Sequence, residues 1–298
     1  MMKFRAPYPA LFLGLVLLLS GCFTRETRIL LEEDGSGVLE IVTTARKALL
    51  DYARAHVDMP PEEWWFSEAV LTKAAEHHGE GVRYLSHEIS PLEDGKKFTV
   101  RYRFDDVSRL DIRVDTDAPF YLTPPGKQQD HRPRFHFMMR DNVLTVQVPP
   151  VSPRARTSAQ TRVRVDAPKA RAQRKERLEQ DLRNLMRHGN PFKLSGKESS
   201  EELVKALAEG MRFQIQVQLP GPVLATNART LDAGQGQEAP PVLTVFELEA
   251  MKVLEDASAM EKATEGEIHR ISWGELIRLP GVSGEHTGPV HIHLRPRD

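Results

Sequence analysis

Apolar and polar positions alternate with a period of two along much of this chain. The clearest stretch is Met211 to Leu219, where Phe213, Ile215, Val217 and Leu219 alternate with Arg212, Gln214, Gln216 and Gln218. Successive side chains of a strand point to opposite faces, so this spacing predicts a strand with one buried and one polar face. Thr27 to Glu33 and Val38 to Thr44 are β-prone and flank Asp34-Gly35-Ser36-Gly37, whose turn residues predict a hairpin. Val82 to Ser90 with Lys96 to Phe104, around Glu93-Asp94-Gly95, predict a second hairpin. Phe135 to Met139 with Val143 to Val148, around Asp141-Asn142, predict a third. Val223 to Ala228 and Val242 to Phe246 are expected to be strands, and Val290 to Leu294 is either a strand or a surface tail.

Helical spacing appears between these stretches. Ala45 to Ala55 carries Leu49, Leu50 and Ala53 on one side, and Pro60-Pro61 is expected to start a second helix running to His78, ended by Gly79 and Gly81. Ser200 to Glu209 and Glu247 to Lys262 also read as helices. From Pro168 to His188 a charged helix is expected, with Leu178, Leu182, Leu185 and Met186 as its narrow apolar stripe. The whole predicts an α+β fold: a mainly antiparallel sheet of hairpins, helices packed on one face, and a charged helical insertion. The expected divisions are 1–21 as a cleaved signal peptide, 22–150 and 199–265 as two parts of one α+β domain, 151–198 as a basic linker and helix, and 266–298 as a tail.

Charge adds one feature. The 298 residues hold 41 Lys or Arg and 42 Asp or Glu, a net of −1, which argues against a nucleic-acid partner gripped by overall charge. Locally the balance is uneven. Arg154 to Arg187 carries eleven basic residues against four acids, and Asp232 to Glu267 carries nine acids against two lysines. These blocks are expected either to face each other or to leave a solvated basic helix packed by its leucine stripe; the sharper reading makes the helix, with Arg171, Arg174, Lys175 and Arg177, a patch facing a membrane or a partner protein.

A single cysteine excludes intrachain disulfides, CxxC chemistry and multi-thiolate metal sites. Its surroundings are specific. Lys3 and Arg5 precede the apolar run Ala10 to Ser20, too short to span a bilayer comfortably, and then comes Leu19-Ser20-Gly21-Cys22. This resembles the lipobox of bacterial lipoproteins. The resemblance implies a diacylglyceryl group on the Cys22 thiol, cleavage before Cys22, and acylation of the new amine. One acyl chain holds a protein marginally at about 0.8 kcal/mol per buried methylene, whereas two or three anchor it stably. Since residue 23 is Phe and not Asp, the resemblance implies an outer-membrane site facing the periplasm if the source is Gram-negative.

A second resemblance covers about a fifth of the chain. The strand ending in Asp34-Gly35-Ser36-Gly37, the segment Phe98 to Leu110 (FTVRYRFDDVSRL), and Phe213 to Asn227 with Leu219-Pro220-Gly221-Pro222-Val223 occur in an order similar to the mycobacterial LppM type of envelope lipoprotein domain. That family has a tryptophan-bearing strand where this chain has Val245-Phe246, commonly ends in a transmembrane helix, and lacks the basic insertion. The resemblance implies an α+β envelope domain that binds lipid or glycolipid, with no catalytic residues to carry over.

The chain contains no GxSxG, HExxH, P-loop or GxGxxG. Among eleven histidines, His291 and His293 would share one face of a strand, and His77-His78 close a helix beside Glu76. Two imidazoles do not define a metal, so neither metal nor cofactor is expected. Trp64, Trp65 and Phe66 cannot all point one way on a helix; core packing is the default, and a ligand groove or a membrane surface is the alternative for Trp64 and Trp65. Phe120 and Tyr121, beside Pro119, Pro124 and Pro125, are candidates for the mouth of a ligand pocket. The sequence therefore predicts a lipid-anchored, non-enzymatic envelope protein binding an envelope lipid or other amphiphile. The alternative is an accessory subunit docking another envelope protein through the basic helix, and an enzyme of unrecognised type ranks third.

Overall fold

The computed structural model describes residues 23–47, 50, 66–114, 133–150, 200–233, 239–264, 271–285 and 288–295. The architecture is mixed α and β, dominated by strands, with antiparallel sheets and few helices. The predicted hairpins form where turn chemistry placed them: β1 (Phe23–Leu31) with β2 (Gly37–Arg46), β3 (Arg83–Leu92) with β4 (Gly95–Phe104), and β6 (Arg134–Arg140) with β7 (Val143–Gln147). Asp141 and Asn142 take φ of 50° and 60° in the last turn, a conformation these two side chains tolerate better than most.

The expected sheet is divided in two. β8 (Arg212–Gln218) lies parallel to β1 and antiparallel to β11 (Val242–Glu249). With β10 (Leu231–Asp232) the large sheet runs β10-β11-β8-β1-β2-β4-β3, and β12 (Val282–Gly284) pairs with β11. The second sheet, β5-β6-β7-β13-β9, adds β5 (Ile112–Arg113), β9 (Val223–Thr226) and β13 (Val290–Leu294). The C-terminal stretch is thus a strand between β7 and β9, with Val290, Ile292 and Leu294 buried.

Three helix expectations are corrected. The predicted helix from Ala45 starts too early, because Ala45 and Arg46 pair with Lys96 and Gly95 as the end of β2. Of the predicted helix from Pro60 to His78, the described residues form α1 (Glu68–Ala75) and a 3-10 turn over Glu76–His78, with Phe66 and Ser67 outside both. Glu247 to Lys262 is not one helix. Glu247 to Glu249 continue β11 against β8, and α3 (Ala250–Val253) and α4 (Ala257–Thr264) follow with a break between them. A strand ladder with two neighbours outweighs local helix preference. Among the described residues the remaining helices are α2 (Ser200–Ala208) and the short α5 (Trp273–Leu276), which opens on a Ser272/Glu275 capping box.

One continuous core joins the sheets. Ile29, Leu39, Phe98, Tyr102, Phe104 and Leu219 come from the large sheet, and Phe135, Leu144 and Ile292 from the second, all fully buried. Phe135 and Phe246 meet across the layers at 6.5 Å, and Trp273 packs on both, its indole N–H donating to the Pro149 carbonyl at 3.0 Å. Gly37 has a steric reason: a Cβ there would lie 2.2 Å from the Leu30 carbonyl and 2.6 Å from the Phe104 ring.

Candidate functional site

The residues named from sequence as lipidation, ligand and partner contacts, namely Cys22, Trp64, Trp65, Phe120, Tyr121, Arg171, Arg174, Lys175 and Arg177, lie outside the described residues. Phe66, the third member of the aromatic run, is buried and stacked on Phe98 with ring centroids 4.0 Å apart and planes 7° apart. It is a core residue.

The outward face of the large sheet carries polar side chains. Arg28 on β1 contacts Glu26 at 2.5 Å and Glu40 on β2 at 3.5 Å, and Arg101 on β4 donates to Glu40 at 2.8 Å. The ladder register puts Arg28, Glu40 and Arg101 in one row. Gln216, level with Arg28 on β8, reaches Thr244 on β11 at 3.4 Å, and Arg212 pairs with Glu247. Such half-exposed pairs contribute little stability each, but they fix a flat, hydrogen-bonding surface. The acidic block is dispersed in the fold: Glu247 and Glu249 pair with Arg212 and Lys252, while Lys262 meets Glu275 from α5.

Two open grooves flank α1. One, about 480 Å³, is bordered by Glu76, Glu80, Arg109 and Asp111 around Gly79 and Gly81; the other, about 600 Å³, by Glu68, Thr72, Lys73 and Glu76. Burial works to raise the Asp111 carboxyl, but the hydrogen bond and charge of Arg113, with Arg134 and His136, outweigh it and hold the group below the usual carboxylate range. An ionised, paired Asp111 is not a proton donor at neutral pH. His77 and Glu76 are exposed beside this groove, whereas His78 is buried with its ring 4.8 Å from Tyr102. The three side chains therefore do not converge. Burial, reinforced by Arg25, His77 and Arg113 and opposed by Asp111, pushes the His78 imidazole down to about 3, so it is neutral in the folded protein.

His291 and His293 do share the exposed face of β13. The Nδ1 of His291 sits 3.2 Å from the Thr145 hydroxyl. Among the described residues no group of three or more His, Cys, Asp or Glu side chains is arranged to hold a metal ion, and no helix is long and apolar enough to cross a membrane.

A polar clamp that sequence reasoning missed lies near the end of β12. Glu285, 4% exposed, accepts through Oε1 from the Arg229 and Thr230 amides at 2.7 and 2.9 Å and from the Thr230 hydroxyl at 2.7 Å. No local motif announces it, since the donors are 55 and 56 residues away. Glu285→Ala leaves the two amides without their acceptor, although the Thr230 hydroxyl keeps the Thr244 carbonyl at 2.6 Å, and should cost about 2 kcal/mol, whereas Glu285→Gln keeps an acceptor oxygen and should cost about half as much. Urea unfolding of the two variants checks this; equal losses would show that the hydrogen bonds do not set the effect.

Comparison with family models, with curated proteins and with solved structures finds no match for the chain.

Proposed function

We propose that this chain is a bacterial envelope lipoprotein, held to a membrane through acylated Cys22, whose body is a non-catalytic module that docks another envelope component at its surface. One observation supports docking over the enclosure of a lipid. The space between the two sheets is filled by a continuous apolar cluster, and the grooves beside α1 are open and edged by charged groups. A lipid carrier needs a concave apolar chamber that covers most of its ligand. The basic segment 151–198, with Arg171, Arg174, Lys175 and Arg177, belongs to this proposal as the partner contact. Trp64, Trp65, Phe120 and Tyr121 belong to the competing reading of amphiphile binding. With Phe at position 23, a Gram-negative source would place the protein in the outer membrane facing the periplasm.

The anchor is tested by metabolic labelling with a fatty acid. Label is expected on the wild type and not on Cys22→Ala, and inhibition of the lipoprotein signal peptidase should leave the precursor uncleaved. Label persisting on Cys22→Ala would refute the anchor. The docking role is tested by native mass spectrometry after exposure to an envelope lipid extract, with the chain first solubilised and its anchor mass assigned. A protein without further lipid is expected, together with cross-links to one envelope protein from a photoreactive group at position 175. Retention of one additional lipid class would overturn docking in favour of amphiphile binding.

A further inference from the structure

Phe23, the residue that follows Cys22, is already the first residue of β1. Consecutive Cα atoms lie about 3.8 Å apart, so an acyl anchor on Cys22 has no intervening linker and holds the adjoining end of the large sheet at the membrane surface. The register identifies what else reaches that end. Phe23 pairs with Ala45, Thr24 with Arg212, Arg46 with Gly95, Ala45 with Lys96 and Thr44 with Lys97, and Arg212 pairs with Glu249 just before α3.

The β2–β4 side of that end carries Arg46, Lys47, Lys96 and Lys97 against Glu93 and Asp94, whereas Arg212 and Lys252 on the β8–β11 side are matched by Glu209, Glu247, Glu249 and Glu255. The opposite end of the same strands carries Glu32, Glu33, Asp34, Asp105 and Asp106 against Arg83 and Arg103. Along β2 and β4 the sheet is thus polarised, basic beside the anchor and acidic away from it. A nine-residue strand is about 30 Å long, several Debye lengths at physiological salt, so a surface touching one end hardly senses the other. Among the described residues, the exposed apolar Leu92, at 45%, sits at this basic side, and Met251, at 39%, lies in α3 at the same end of the sheet. Arg46 is placed closest to the anchor. Its guanidinium reaches across the head of β1 to Gly210, where a Cβ would lie 3.0 Å from Nη2.

We propose that this end of the large sheet is a membrane-apposed face that binds the phosphates of anionic phospholipids, with Arg46 beside the anchor and Leu92 and Met251 entering the headgroup layer. The proposal rests on the acylation of Cys22. It identifies a lipid surface as the partner, because the basic charge and apolar side chains lie beside the point where the acylated chain leaves. It also gives the body an orientation: strands upright, acidic end outward, both grooves and the outward sheet face accessible to partners.

The test uses the full acylated chain reconstituted in 3:1 phosphatidylethanolamine:phosphatidylglycerol vesicles containing a brominated lipid. A fluorophore is placed through Leu92→Cys or, at the acidic end, Asp105→Cys. The acylated Cys22 thiol is consumed, so only the introduced thiol reacts. Position 92 should be quenched several-fold more than position 105. Each basic residue near an anionic surface shifts such a preference by about fivefold, so Arg46→Gln with Lys97→Gln should bring position 92 down to the smaller quenching that the anchor alone imposes, as should phosphatidylcholine vesicles, while the protein remains vesicle-bound; quenching unchanged by both would overturn the phosphate contacts. Equal quenching at 92 and 105 on the anionic vesicles, with the acyl mass present on the N-terminal peptide, overturns the proposal and leaves the anchor standing. Absence of that mass refutes the anchor and the proposal with it. Urea midpoints of the labelled variants and the double variant confirm that each remains folded.

Discussion

Phe98→Ala is expected to lower the unfolding free energy by about 4 kcal/mol, the usual range for removing a large aromatic side chain from a closed core. Phe98 is fully buried on β4 and stacks on Phe66. The site has little freedom to collapse, because Ile41 and Val100 from the neighbouring ladder are also buried. The denaturation midpoint should fall without a change in slope, since the same surface is exposed on unfolding. Leu85→Ala provides the contrast. Leu85 is 54% exposed at the irregularity between Tyr84 and Ser86, and its loss should change stability by no more than about 0.5 kcal/mol. A loss below about 1 kcal/mol for Phe98→Ala would mean that the Phe66 segment repacks into the space. A Phe66/Phe98 double-mutant cycle measures the stacking itself, expected at about 1 kcal/mol.

The second large effect is a loss of stability in mild acid caused by His78. Its imidazole titrates at about 3 when folded, against an ordinary value of 6.5 when the chain unfolds. The unfolded state therefore binds the proton first. Stability is full above 6.5 and declines as pH falls through the interval down to about 3. At 1.36 kcal/mol per pH unit, the decline from this one group reaches about 2 kcal/mol at pH 5 and about 3 kcal/mol at pH 4.

The groups facing His78 are known: Arg25, His77 and Arg113 disfavour its protonation, and Asp111 favours it. His78→Phe keeps an aromatic ring beside Tyr102 and removes the titration, so its unfolding free energy should be nearly flat between pH 6.5 and 5. The slope is the readout, whatever the variant's stability at neutral pH. A wild-type slope surviving in His78→Phe would assign the acid sensitivity elsewhere. Below the ordinary carboxylate values a further loss is expected in both proteins. Glu32, Asp34, Asp106, Asp111 and Glu275 are all held below those values, so each favours folding above its unfolded pKa and loses that contribution as pH falls through its folded one.

For the proposed membrane face, the proposed anchor residue can be read from sequence because the lipobox-like stretch Leu19-Ser20-Gly21-Cys22 is four adjacent residues. The basic rim was not. Arg46 and Lys47 belong to one segment and Lys96 and Lys97 to another, and they meet only because β2 pairs with β4. Counting charge along the chain pointed to the block from Arg154 to Arg187, a real feature of composition. A one-dimensional count cannot see charges collected at one end of a sheet.

The sequence by itself determined the strands with strict alternation and the hairpins with explicit turn residues. In Phe213 to Leu219 and in the β6–β7 turn at Asp141-Asn142, the deciding physics acts within a few residues. Tertiary structure alone decided that β1 runs parallel to β8, that the sheet divides in two, and that Val290 to Leu294 lies between β7 and β9. It also decided that Glu247 to Glu249 extend a strand and that His78 turns into the core while His77 does not. Each of these depends on partners distant in sequence, where the free energy of a shared core and a completed hydrogen-bond ladder overrides the preference of the local stretch.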